Sequence, residues 1–486
     1  MLESIKVSLE RFAPELILVL GAIVILTLGL FRSTRAQSLH LMSIITFLFS
    51  GISLVAAPPN NTGIPMFSDM AVLDGFGYYF KFLFCISGIL TVVITMLARI
   101  RQPRLSEYYV LIIAICLGAN LLVSSTNLLM TFLSLELISI PSYLLAGFTF
   151  SRNSAEGSLK YFIFGAVASA IMLYGMSLLY GITGTLQFSS DQFASAILHR
   201  ADNLLVVAVL FTLGGFLYKI AAAPLHPWAP DVYEGAPMAV VAFFSTVPKL
   251  AGIGILTRLI YAVNISGLPG QYWQLILAGI SIVTIAVGNF SGLWQKNPKR
   301  LMAYSSIAQS GFMLVGIVAL PMIGPENLLF YATVFVFLNY LVFLYLSYFE
   351  GLGIDSLPAF AGTGLEHFWP SVFSLIGFIG LTGLPPTAGF TSKLFIFSGL
   401  WQAYSISQKS IMVILLVWGL LNTVVSLFYY LRIPYYSFIK RGANVASGKI
   451  LIWQNLFGFI LVLMVLILFF SPGLLMGWIN KINFVF

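Results

Sequence analysis

The sequence predicts an all-α polytopic membrane protein of about fourteen transmembrane helices. Two inverted five-helix repeats, spans 4–8 and 9–13, each carry a broken helix. Three observations lead there. Of the 486 residues, 59% are hydrophobic and only 8% charged, against roughly a quarter charged in a soluble domain. Apolar runs of the ~20 residues needed to cross a bilayer recur along the whole chain. Two of those runs are interrupted by Pro and Gly at corresponding places, the sequence pointer to an inverted-repeat transporter fold.

The first three runs cover 13–31, 38–57 and 75–98. The N-terminal stretch has acidic residues and no small-residue cleavage site, so its first run reads as a retained span. Spans 4–8 follow at 108–124, 126–150, 157–182, 202–222 (continuing past its prolines) and 236–262. Spans 9–13 lie at 272–293, 300–320, 326–349, 368–404 and 409–438, and the last at 450–477. The expected units are thus an N-terminal three-helix segment (1–107), two five-helix repeats (108–262 and 263–440) and a C-terminal helix (441–486).

Basic residues set the orientation. Loops after odd-numbered spans carry Arg32 and Arg35, then Arg99, Arg101 and Arg104, Arg152, Lys296, Lys299 and Arg300, and finally Lys440, Arg441 and Lys449. Loop 58–74 holds Asp69 and Asp74 but no base, and 263–271 holds no charge. The odd loops are expected on the cytoplasmic side and both termini on the periplasmic side. The net charge of +8 therefore reflects topology rather than nucleic acid. Cys85 and Cys116 lie in apolar runs without ligand spacing and read as inert thiols. No CxxC, haem-attachment, GxGxxG or Walker A pattern is present, so no redox centre, nucleotide or metal site is expected in the chain.

The first interruption lies in LGGFLYKIAAAPLHPWAPDVYEGAPMAVVAFFSTVPK, residues 213–249. Pro224, Pro227 and Pro230 remove backbone donors and restrict their predecessors, so the helix must break. The second lies in GLPPTAGFTSK, with Gly383, Pro385, Pro386 and Gly389 ahead of Lys393. Broken backbone at membrane depth is tolerated where it is buried in protein or lines a watery cavity.

Among the ionisable residues inside predicted spans, six stand out: Lys81, Glu136, Lys160, Lys219, Lys249 and Lys393. A lysine at the bilayer centre costs ~2.5–3.5 kcal/mol on insertion scales. Lys81 is near a span start and is expected to snorkel to the surface. Lys160 has Glu156 four residues before it, the spacing of a surface helix pair. Glu136, Lys219, Lys249 and Lys393 have no such explanation and are the candidate proton carriers. Burial disfavours a charged lysine while a nearby carboxylate favours it, and Glu136 is the natural counter-ion. His226, inside the first break, is suited to relay between Lys219 and Lys249, or else to satisfy freed backbone carbonyls. Pro141 and Pro248 allow bending beside Glu136 and Lys249.

PLHPWAPDVYEGAP, LSLELISIPSYLLAGF, NPKRLMAYSSIAQSGF and GLPPTAGFTSK together resemble the antiporter-like membrane subunits of complex I, and among them the subunit N (subunit 2) family. The resemblance implies a proton-translocating subunit of NADH:quinone oxidoreductase with no redox centre of its own. It implies that Glu136 and Lys219 act as a modulating ion pair, Lys249 as the central protonatable lysine, and Lys393 as the residue exchanging protons with the far side. Lys160 and His226 fall on polar positions of the same path. Gln309 stands where many relatives have histidine, so that link would be a hydrogen bond or a water. Partner subunits would hold FMN, Fe–S clusters and the quinone site, with NADH or ferredoxin as electron donor. Subunits like M and K would be the neighbours, in a bacterial inner membrane or, alternatively, a thylakoid. Two rival readings remain: a subunit of a related cation/proton antiporter, and a non-pumping structural subunit.

Overall fold

The computed structural model describes residues 8–31, 35–56, 58, 63–98, 104–198, 203–265, 270–442 and 451–482. Arg32, Arg99, Arg101 and Lys449 of the orientation argument lie outside them. Twelve helices among the described residues are long and apolar enough to cross a membrane. Two shorter apolar helices, Asn203–Lys219 and Phe368–Thr382, are continued past a break by Trp228–Gly235 and Ala388–Ser407. They complete fourteen spans.

The helices start where the sequence supplies caps for their orphan N–H groups. Asp74 accepts from the Gly77 amide at the start of span 3, Gly75–Leu97. Asn127 caps span 5, Leu128–Ala146, and Ser151 caps span 6, Arg152–Thr183. Asn297 precedes Pro298 at the start of span 10, Pro298–Ile323, where a missing N–H costs nothing.

Burial orders the bundle. Span 8, Met238–Ile265, is buried along the whole of residues 238–260, and span 11, Glu326–Glu350, is nearly as enclosed. Span 10 packs beside them. Spans 1 (Ala13–Leu30), 2 (Ala36–Ala56), 13 (from Ser410) and 14 (Ile452–Phe470) turn large apolar faces outward, as lipid-facing helices do.

The all-α expectation needs one addition. A two-stranded antiparallel hairpin, β1 (Ile64–Met66) and β2 (Ala71–Leu73), lies in what reads as a loop. It extends through an isolated bridge between Ala71 and Ser125. Strands of three residues leave no readable alternation in sequence.

In the first break the helix ends at Lys219, and residues 220–227 run irregularly before Trp228–Gly235. The Ala222 amide bonds back to the Leu217 carbonyl, and the Ala223 amide donates to Thr284 Oγ1 at 3.0 Å. In the second break Gly383 takes φ +89°, a left-handed conformation that suits glycine. A Cβ on Gly389 would lie 1.8 Å from the Gly380 carbonyl oxygen, so the two halves of span 12 meet backbone to backbone. Both breaks contain a cis X–Pro bond, at Ala223–Pro224 and Pro385–Pro386.

Candidate functional site

The site assembles around the two breaks and span 8 between them. Lys219 is the last residue of its half-helix rather than an interior one. That position sets its ammonium near the carbonyl end of the helix, the favourable end for a cation. Its Nζ donates to Ser139 Oγ at 3.0 Å and lies 5.9 Å from the centroid of the Tyr161 ring. Tyr161 in turn stacks on Trp228 at 4.2 Å, holding the second half of span 7 against span 6.

Glu136 stands one helical turn before Ser139 and accepts from Ser169 Oγ at 2.5 Å. No ion pair joins Glu136 to Lys219; the ammonium is taken by Ser139 and the carboxylate by Ser169. Lys249 donates to Ser310 Oγ at 3.4 Å, and Ser310 donates onward to the Ile220 carbonyl at 2.8 Å. Ile220 directly follows Lys219, so one serine links the first break to the central lysine.

Gln309, the neighbour of Ser310, donates from Nε2 to the Leu381 carbonyl at 3.0 Å and to the Tyr430 hydroxyl at 3.2 Å. Its carbonyl oxygen accepts from Tyr331. Lys393 donates to the Thr382 carbonyl at 2.7 Å and lies 4.5 Å from the Phe312 ring centroid. A cavity of about 10 Å³ is lined by both Gln309 and Lys393, roughly the room one water needs. Hydrogen bonds thus tie Lys219 to Ser139, the first break to Lys249 through Ser310, and Gln309, next along the chain, to the second break, where Lys393 holds the Thr382 carbonyl. The three lysines are 2–5% exposed, and each has a hydroxyl or carbonyl partner instead of a carboxylate.

Two candidates sit elsewhere. His226 is half-buried in the first break, with no hydrogen-bond partner at Nδ1, and is hydrogen-bonded to neither lysine. Lys160 is 41% exposed and pairs with Glu156 at 2.8 Å and Asp231 at 2.7 Å. Arg300 joins Asp231 at 2.8 Å to Glu234 at 2.7 Å. This charged cluster covers the end of the bundle that carries the odd-numbered loops.

Two buried ion pairs escaped the sequence reading. Lys81 does not snorkel: it is 1% exposed and pairs with Glu15 of span 1 at 2.8 Å. Apolar surroundings leave the lysine no route to water, so the carboxylate meets it inside. Arg258 of span 8 donates twice to Asp74, at 2.8 and 2.5 Å, and once to the Val123 carbonyl at 2.5 Å.

Broken helices, buried lysines at each break and a third lysine between them define an antiporter-like membrane subunit. The family described as NADH:quinone oxidoreductase/Mrp antiporter, transmembrane, matches residues 125–421. NADH-quinone oxidoreductase subunit N of Chlorobium chlorochromatii is 36% identical over 96% of this chain and 94% of its own length. Subunit N of an Anaeromyxobacter species is 38% identical over 87% of this chain and 86% of its own. A chain in the structure of respiratory complex I from Thermus thermophilus superimposes with a TM-score of 0.79 at 28% identity, covering 96% of this chain and 98% of that one. The chain belongs to the NADH-quinone oxidoreductase subunit N family, the antiporter-like subunits of the complex I membrane arm.

Proposed function

We propose that this subunit translocates protons through Glu136, Lys219, Lys249 and Lys393, driven by quinone reduction elsewhere in the complex. One observation carries the reading: the three lysines are buried mid-bundle without a salt-bridged carboxylate, each held by a hydroxyl or a carbonyl. A structural lysine is ordinarily matched by a carboxylate, as Lys81 is by Glu15. The protonation state of an unmatched lysine responds to charges brought near it.

In this cycle Lys249 takes a proton from the side of the odd-numbered loops. Glu136, not ion-paired with Lys219, closes on it or withdraws and so sets the field at Lys249. The proton then crosses by Ser310, Gln309 and an intervening water to Lys393, which releases it on the opposite face. Gln309 carries no charge and serves as a hydrogen-bonding link. His226 adjusts the first break, and Lys160 belongs to the charged cluster at the uptake face. Moving one charge against 100 mV takes about 2.3 kcal/mol, and two pKa units, at ~1.4 kcal/mol each, are of that size.

The repeats in this reading are 108–262 and 263–440, with both termini on the periplasmic face of a bacterial inner membrane and neighbours like subunits M and K. FMN, Fe–S clusters, quinone and the electron donor belong to partner subunits. The antiporter alternative draws on the shared family description; similarity to subunit N over nearly the whole chain favours the complex I role.

The test is Lys249→Met in the assembled complex, scoring quinone reductase activity and proton pumping in the same sealed vesicles. Loss of both with assembly intact is expected. Normal pumping overturns the reading and leaves the lysines as struts.

A further inference from the structure

Lys249 lies deep in the bundle, about 16 Å along span 8 from Met238 at 1.5 Å per residue, and the row of buried lysines does not reach the uptake face. We propose that Lys249 is loaded through a second row of groups, the hydroxyls of Thr95, Thr91, Tyr340 and Thr246. This proposal rests on the proton-path reading above.

The row begins at an open vestibule. Two neighbouring cavities of about 290 Å³ each flank Glu234, Lys299 and Glu350 at the end of the bundle bearing the odd-numbered loops. Lys299 and Glu350 pair at 2.6 Å, and Glu234 is held by Arg300. Thr95, close to the end of span 3, borders the second cavity.

From Thr95 the row descends one helical turn to Thr91, an i,i+4 neighbour on the same face. Thr91 Oγ1 lies 2.7 Å from the Tyr340 hydroxyl of span 11. Thr246 Oγ1 of span 8 donates to that same phenol at 3.3 Å. Thr246 stands one turn before Lys249 on the same helix. Thr91, Thr246 and Tyr340 are fully buried and Thr95 is 7% exposed.

The arrangement exceeds what holding the helices together requires. Each threonine hydroxyl already has a carbonyl one turn back: Ser87 for Thr91, Thr91 for Thr95, and Ala242 for Thr246. The contacts through Tyr340 are additional, and they join spans 3, 8 and 11 at one phenol oxygen. A hydroxyl both donates and accepts. Once the Thr246 hydroxyl turns to accept from Tyr340, an incoming proton joins each oxygen as that oxygen's own proton leaves for the next. The unprotonated amine of Lys249 is the final acceptor; one proton has moved, no bond to carbon has changed, and the hydroxyls rotate back. The two single-turn gaps, about 5–6 Å between Cβ atoms, are each bridged by one water.

The test uses the assembled complex in sealed vesicles. Tyr340→Phe keeps the ring and removes only the junction oxygen. It is expected to slow coupled quinone reduction and pumping about tenfold, the effect of ~1.4 kcal/mol on one transfer barrier, and to raise the H₂O/D₂O rate ratio. Tyr345→Phe, a buried phenol on the same span whose hydroxyl meets the Gln454 carbonyl, is expected to leave both unchanged. Should Tyr340→Phe fail to assemble, Thr91→Val decides by the same two readouts. Unchanged rate and isotope ratio in Tyr340→Phe and Thr91→Val, beside an inactive Lys249→Met, overturn this uptake row and leave the lysine path standing. Normal pumping by Lys249→Met overturns the lysine path, and this row with it.

Discussion

The ammonium of Lys393 donates to the carbonyl of Thr382 across the break that separates them within span 12. A carbonyl freed by the end of one half-helix thus becomes the polar partner of a lysine on the other half. Lys219 uses the first break in another way, as the terminal residue of its half-helix. At the second break the interruption itself supplies polar backbone at the depth where a buried lysine needs it.

That dependence makes Gly383 sensitive. A Cβ there would lie 2.7 Å from Lys393 Cδ, at a backbone φ of +89°. Gly383→Ala is expected to cost about 1–2 kcal/mol for the left-handed conformation alone. It should also displace Lys393 and slow pumping. Thermal unfolding of the complex and proton pumping measured together check this; unchanged stability would show that the turn relaxes freely.

Glu15 and Lys81 form a buried pair tying span 1 to span 3. Glu15→Gln leaves the lysine without its counter-charge and is expected to lower stability by about 3–5 kcal/mol. The double variant Glu15→Leu, Lys81→Met should recover most of that loss, since an apolar pair of similar size often matches a buried ion pair. A double-mutant cycle on thermal stability measures the coupling; additive losses would refute it.

Asp231 is held by Lys160 and Arg300 at the end of the bundle. Asp231→Asn should cost at most ~1 kcal/mol, the scale of a partly exposed pair. Unfolding of parent and variant side by side provides the check, and a loss several times larger contradicts the assignment.

Much of this was legible in the sequence. The number of spans follows from apolar runs and the breaks from Pro224, Pro227, Pro385 and Pro386. Lys219, Lys249 and Lys393 stand out because lysine is costly in lipid. The partners of those lysines were not legible. Ser139, Ser310 and the Thr382 carbonyl are ordinary groups that gain meaning only when spans distant in sequence pack together. Lys81 misled because nearness to a span end suggests snorkelling, whereas its fate depends on Glu15 in another span. Asp74 and Arg258 were concealed likewise: the aspartate reads as a loop residue, and its pairing with an arginine of span 8 depends on packing between distant spans.

Gly389 allows no spare atom, because any side chain would strike the Gly380 carbonyl. In evolutionary terms that codon has no amino-acid neighbour. Every replacement must force the two half-helices apart, so drift can reach this position only after the facing backbone has already moved.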